Sequence, residues 1–180
     1  MPAPRHAISG ESYYDYVRAH VHEPAGMTAT GSAPESEVVA NRAVGYTRLQ
    51  GALPAFANAG WQPNTDTLPY RGTAAGGGSS TVEDLLRLAN ALENHTLLNA
   101  HYTDLLLTPK VDFGRGKYAY GFGHRTVAGV TSVGHNGGAP GMNGELRMYQ
   151  DSGYVIVVLA NLDPPAAESV ASLVANRLPK

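Results

Sequence analysis

The 180 residues are enough for one domain with its own core, and 43% hydrophobic against 16% charged residues is the balance of a globular chain. A formal net charge of −2 and the lack of any basic stripe exclude an electrostatic footprint for nucleic acid or an anionic membrane. With no cysteine, disulfides, thiolate metal sites and cysteine nucleophiles are excluded together. No membrane span is expected, because the longest apolar run, Tyr154 to Ala160, is far too short for a bilayer, and the opening MPAPRHAISGESYYDY carries no apolar signal segment.

The first helix is predicted from Ser12 to His22. Ser12 caps it with Asp15 three residues on, Tyr13, Tyr16, Val17, His20 and Val21 share one face, and Pro24 and Gly26 stop it. From Met27 to Gly78 the chain is rich in Gly, Pro, Ala, Asn and Thr and has little periodicity. So long an irregular stretch either carries function or drapes over another part of the protein. The next helix has a capping box of Ser80 and Glu83, and an apolar stripe of Val82, Leu85, Leu86, Ala89 and Leu92. A short helix from Ala100 to Leu107 ends before Pro109.

The period then changes to two. Tyr118, Tyr120, Phe122 and His124 alternate, and Val130 to His135 and Gly144 to Tyr149 read as strands. Asp151-Ser152-Gly153 is a hairpin turn into YVIVVLA, Tyr154 to Ala160, whose unbroken apolar character predicts a central strand buried on both faces. Asp163 is expected to cap a final helix with Pro164 at its first position and Val170, Leu173, Val174 and Leu178 on its inner face. The fold class is therefore α+β, in one domain over 1–180: a helical and irregular part, 1–110, and an antiparallel meander with a C-terminal helix, 111–180. A central strand needs two neighbours. The meander supplies one for Tyr154 to Ala160, and nothing else in the sequence reads as the second.

One short stretch combines an ionisable ring with backbone freedom. HNGGAPG, His135 to Gly141, reads as a turn, with Gly137, Gly138 and Gly141 allowing positive φ and the close approach of another backbone or a ligand. By itself it is an ordinary glycine turn. AAGGGSST could bind an anion at a helix start, but with no preceding strand and no P-loop lysine a cap through Ser80 explains it better. His20 and His22, two apart on a helix, do not form a metal pair. His6, His95, His101 and His124 are scattered and fall to surface or core. Tyr13, Tyr14 and Tyr16 read as helix packing, and capping or strand-surface roles suffice for Glu83, Asp84 and Glu145.

Five segments occur together in order: SGESYYDYVRAHVHEPAGMTAT, AAGGGSSTVEDLLRLANAL, YAYGFGH, GHNGGAPGMNGELRMYQDSGYVIVVLANLD and the closing helix. Together they cover nearly the whole chain. They resemble the serine β-lactamase and penicillin-binding-protein superfamily, in its class C β-lactamase, D-aminopeptidase and esterase branch. The resemblance implies part of a β-lactamase/transpeptidase-like fold, with helices flanking an antiparallel sheet. It also implies a cleft where a Ser-x-x-Lys nucleophile, a Tyr-x-Asn or Ser-x-Asn group and a Lys-Thr-Gly or His-x-Gly strand meet.

By that resemblance His135-Asn136-Gly137 is the third motif. His135, Gly137 and Gly138 are then catalytic, Gly138 through a backbone N–H aimed at the developing oxyanion, and Asn136 contacts substrate. No serine here begins Ser-x-x-Lys or Ser-x-Asn, and no tyrosine begins Tyr-x-Asn. The expectation is the C-terminal half of a serine hydrolase acting on a small acyl substrate, inactive without its nucleophile. Its partner is the missing N-terminal half, or a second copy through strand 154–160. No cofactor or metal is implied. The alternative is a non-catalytic binding or interaction module that keeps the cleft strand.

Overall fold

The computed structural model describes residues 9–50, 53–54, 60–67, 69–114 and 116–179. His6 and the first half of the opening MPAPRHAISGESYYDY, residues 1–8, lie outside them. The chain divides into two compact units, Met1–Ala40 with Pro69–Thr103, and Asn41–Leu68 with Asp104–Lys180.

In the first unit α1 (Tyr13–Val17) starts at the predicted cap, where Ser12 Oγ accepts from the Asp15 N–H at 3.1 Å. The helix then widens into a π-turn over Arg18–His22, closed by bonds of i to i+5 spacing: Glu23 N–H to Arg18 O at 2.9 Å and Met27 N–H to His22 O at 2.8 Å. The second helix, α2 (Val82–Glu93), begins one residue later than the capping box predicts. Thr81, not Ser80, accepts from the helix, from the Asp84 N–H at 3.2 Å, and Ser80 Oγ lies 2.8 Å from Thr30 Oγ1 instead.

Asp84 explains the shift. Its carboxylate is fully buried and accepts from the Ala29 N–H and Thr30 Oγ1, both at 2.7 Å, and from Arg87 Nη1 at 2.6 Å. Burial alone pushes its pKa up, but these donors outweigh it and hold the carboxyl below its ordinary value. Asp84 thereby ties the chain at 29–30 to the helix start, beside an antiparallel bridge of Gly31 with Ser79. Of the predicted stripe Ala89 and Leu92 are buried, whereas Val82 and Leu86 are each 42% exposed. The third helix, α3 (Ala100–Leu107), has its predicted bounds.

The second unit is the antiparallel meander. Two short pairs precede it: β1 (Tyr46–Thr47) with β4 (Gln62–Pro63), and β2 (Leu49–Gln50) with β3 (Leu53–Pro54). The main sheet then runs β5 (Val111–Phe113), β6 (Gly116–Tyr118), β7 (Gly123–Val127), β8 (Val130–Ala139), β9 (Met142–Tyr149) and β10 (Tyr154–Ala160), each beside the next. The last helix, α4 (Ala166–Ala175), lies against β9 and β10. The α+β class and the meander are as predicted.

Several details differ. Tyr118 to His124 is not one strand, because a turn separates β6 from β7: Ala119 N–H donates to Phe122 O at 2.8 Å and Gly121 has φ +81°. Only Pro140-Gly141 of HNGGAPG is a turn, with Gly141 at φ +70°, and His135 to Ala139 are strand. Asp163 does not cap α4. Its oxygens instead accept from Gly141 N–H at 2.8 Å and Arg48 N–H at 2.7 Å; against the upward push of burial, these donors, the Thr47 hydroxyl and the Arg48 charge hold its pKa down.

The inner face of α4 is not the predicted one either. Ala167 and Ala171 are fully buried while Val170, Leu173 and Val174 point outward. The small residues let the helix approach the sheet closely, over a cluster of Tyr149, Ile156 and Ala171 that also takes in Val158, Ala175 and Leu178. Glu145 is not on a strand surface. It is buried and pairs with buried Arg147 at 2.7 Å. Among the described residues β10 is the end of the sheet, paired with β9 alone, so the strand predicted to be central has one neighbour. Ile156 is buried, but Tyr154 is 39% and Leu159 40% exposed.

Part of the irregular region packs on the main sheet of its own unit. Asn64, buried, donates from Nδ2 to Pro140 O at 2.9 Å and takes the Gly45 carbonyl on its N–H at 2.9 Å. Asn64, itself held by Gly45, thus fastens the β8–β9 turn within its own unit.

Candidate active-site strand

Strand β8 positions the site. Its register pairs His135 with Leu146, Asn136 with Glu145, Gly137 with Gly144 and Gly138 with Asn143 on β9, whereas β7 begins at Gly123, opposite Gly134. Past Gly134 the strand therefore has one partner among the described residues, and the side facing away from β9 is an open edge.

The two hairpin turns fix which groups occupy that edge. The residues flanking a two-residue turn exchange both hydrogen bonds, and the pattern then alternates. Val127 and Val130 flank Ala128-Gly129, and Ala139 and Met142 flank Pro140-Gly141. Both turns give one parity: His135, Gly137 and Ala139 bond β9, and the N–H groups of Asn136 and Gly138 face the open edge.

Side chains alternate the other way across the sheet. Ile156, Arg147 and Asn143 point to the α4 side, and Asn136 and the missing Cβ of Gly138 share it. His135 and Gly137 take the opposite face. His135 is exposed, and a Cβ on Gly137 would meet nothing within 4 Å. A Cβ on Gly138, by contrast, would lie 2.3 Å from Pro164 Cγ. Gly137 thus leaves open space beside the histidine, and Gly138 lets the strand lie against the approach to α4.

Asn136, expected to contact substrate, has its side chain committed elsewhere: Nδ2 donates to Glu168 Oε1 at 3.1 Å. Asn143 completes this support. Its Nδ2 donates to Gly137 O at 2.7 Å and to Glu168 Oε1 at 3.1 Å, and its Oδ1 accepts from Ala167 N–H at 2.7 Å. Burial pushes Glu168 up, but the two amides and nearby Arg147 hold its pKa below the ordinary value, so it is an anion behind the strand. Toward the front, His135 Nε2 lies 3.0 Å from the Tyr118 hydroxyl, the rings meeting edge to face at 6.1 Å between centroids.

A strand edge with N–H donors facing away from β9, an exposed histidine and open space beside it can pair with an extended chain. The Beta-lactamase family model matches residues 6–178. The chain belongs to the beta-lactamase family. This beta-lactamase family chain is 25% identical over 172 residues to a D-aminopeptidase of Cereibacter sphaeroides, covering 94% of its own length and 32% of that protein. It is 32% identical to a penicillin-binding protein of Bacillus halodurans of known structure, with a TM-score of 0.82 over 93% of this chain and 51% of that one. An octameric penicillin-binding protein homologue from Pyrococcus abyssi matches at 25% identity and a TM-score of 0.77, over 93% of this chain and 39% of that one. The chain therefore spans about a third of the curated relative and about half, or less, of the solved ones.

Sequence reading missed four residues that shape the strand: Tyr118, Asn143, Asp163 and Glu168. Of these, Tyr118 stands in the strand alternation and in YAYGFGH, and Asp163 stands where a helix cap is expected; Asn143 and Glu168 carry no signal of their own. His124, expected at the surface or in the core, is half-buried and places Nε2 2.6 Å from Leu107 O at the end of α3. No group of three or more His, Asp or Glu side chains converges on a metal-sized site among the described residues. A groove of about 370 Å³ in the other unit is lined by Tyr13, Tyr14, Arg18, Thr30 and Arg71 and includes none of His135 to Gly138.

Proposed function

We propose that this family chain supplies the substrate-recognition strand of a serine acyl hydrolase whose nucleophile lies in a Ser-x-x-Lys segment outside these 180 residues. The open edge of β8 is the observation that carries the reading. In it the acyl group lies along the edge, where Gly138 N–H donates to the developing oxyanion and Asn136 N–H to the substrate chain. His135 binds a substrate carboxylate or passes a proton, and Gly137 leaves room for the acyl side chain. The serine attacks the carbonyl of an amide, ester or lactam, and water hydrolyses the acyl-enzyme. Likeness to a D-aminopeptidase favours peptide-like amides. Alone, the chain does not turn over.

A second reading, a binding module without catalysis, draws on the same edge together with the absent nucleophile motif. Extending the chain with upstream coding sequence separates the two. Hydrolysis of activated esters and D-amino-acid amides by the extended protein, reduced roughly a hundredfold by His135→Ala, supports the hydrolase. Ligand binding without turnover, in an extended protein that carries Ser-x-x-Lys, supports the module.

A further inference from the structure

We propose that Tyr118 is a positioning residue of this cleft. Its hydroxyl donates to His135 Nε2 and holds the neutral imidazole as the Nδ1–H tautomer, so that Nδ1–H is the donor the ring offers. That the donor serves an acyl substrate rests on the hydrolase reading; the tautomer does not.

The two groups are 3.0 Å apart, and no other hydrogen-bond partner of the ring appears among the described residues. Such a contact admits two arrangements, Tyr O–H to Nε2 or Nε2–H to the phenol oxygen. A phenol is the more acidic donor and the poorer acceptor, while the lone pair of neutral imidazole is a strong acceptor, so the O–H···N arrangement wins. The tautomer follows, because the nitrogen that accepts carries no proton. Protonation of the ring reverses the bond, with Nε2–H donating to the phenol oxygen. The same pair therefore accommodates the charged ring without rearrangement.

The fold brings the pair together by ending strands. Tyr118 is the last residue of β6 and pairs with Gly123, the first of β7. Among the described residues no strand intervenes between the end of β6 and the run His135 to Ala139. The phenol is also held in place, with the Phe113 ring 5.6 Å from it and the Tyr118 carbonyl accepting from Lys110 N–H at 2.8 Å.

The test is long-range ¹H–¹⁵N correlation of the histidine rings in this chain, at a pH well above the imidazole titration, with His135 assigned through His135→Gln. The expected pattern is Nδ1–H for His135, changing to predominantly Nε2–H in Tyr118→Phe, which keeps the ring contact and removes only the hydroxyl. Nε2–H in the unsubstituted chain, or Nδ1–H unchanged in Tyr118→Phe, overturns the proposal. Should Tyr118→Phe fail to fold, the unsubstituted ring decides: Nδ1–H supports the assignment and Nε2–H overturns it. An Nε2–H ring in an extended protein that hydrolyses esters would sink the Tyr118 assignment and leave the hydrolase reading standing. An Nδ1–H ring without turnover would do the reverse.

Discussion

At the scale of single residues, the informative contrast is between an exposed histidine and a buried aspartate. His135 packs against little beyond the Tyr118 ring, so His135→Ala should change unfolding free energy by no more than about 0.5 kcal/mol. Chemical denaturation reads this directly, and a large loss would return His135 to a structural role. Asp84 is the opposite case. Asp84→Asn leaves donors from Ala29, Thr30 and Arg87 without their anion, and should cost about 2–3 kcal/mol at neutral pH. Its folded pKa lies below the unfolded one, so its contribution is complete above the ordinary carboxylate pKa and disappears as pH falls through the folded value. Asp84→Asn should therefore lose less stability than the unsubstituted chain between pH 5 and pH 3, and an equal loss would contradict the assignment. The sequence announced neither the burial of Asp84 nor the cap beside it. Ser80 and Thr81 can each cap, and Glu83 and Asp84 can each answer. The choice was made by Ala29 and Thr30, more than fifty residues away.

At the scale of elements, hydrophobic patterning located the long strands and α2, because each is set by burial along its own length. It failed where a partner elsewhere decides. The alternation from Tyr118 to His124 continues on paper through a turn at Gly121, and α4 turns alanines inward because the helix lies close on the sheet. The HNG motif was legible as chemistry, but its geometry was not. Whether Asn136 faces α4 or the cleft depends on register with β9, which is set by the Pro140-Gly141 turn. The composition of β10 anticipates two neighbours, and the described sheet supplies one. Its seven residues carry no charge, proline or bulge, the devices that usually protect an edge. Leaving such side chains uncovered costs roughly 1.5–3 kcal/mol each. The chain alone should therefore associate through this edge, with an elution volume that depends on concentration, and Val157→Lys should yield monomer or unfold the chain. A chain that stays monomeric at high concentration would refute this.

At the scale of the whole molecule, the chain combines family membership with a missing motif. The family match runs from residue 6 to residue 178, yet the same residues hold no Ser-x-x-Lys, and they span about half of the Bacillus halodurans protein. Among the described residues the sheet has an open edge at β8 past Gly134 and another at β10, and the proposed hydrolase reading assigns both to further chain. The most direct test is intact-mass analysis after incubation with a fluorophosphonate or a fluorescent penicillin. Removing the nucleophile of a serine hydrolase abolishes most of its rate enhancement and all of its covalent chemistry. The account predicts no adduct on this chain alone, and one adduct per molecule, on the Ser-x-x-Lys serine, once the chain is extended to include that motif. A stoichiometric adduct on any serine among these 180 residues would contradict it.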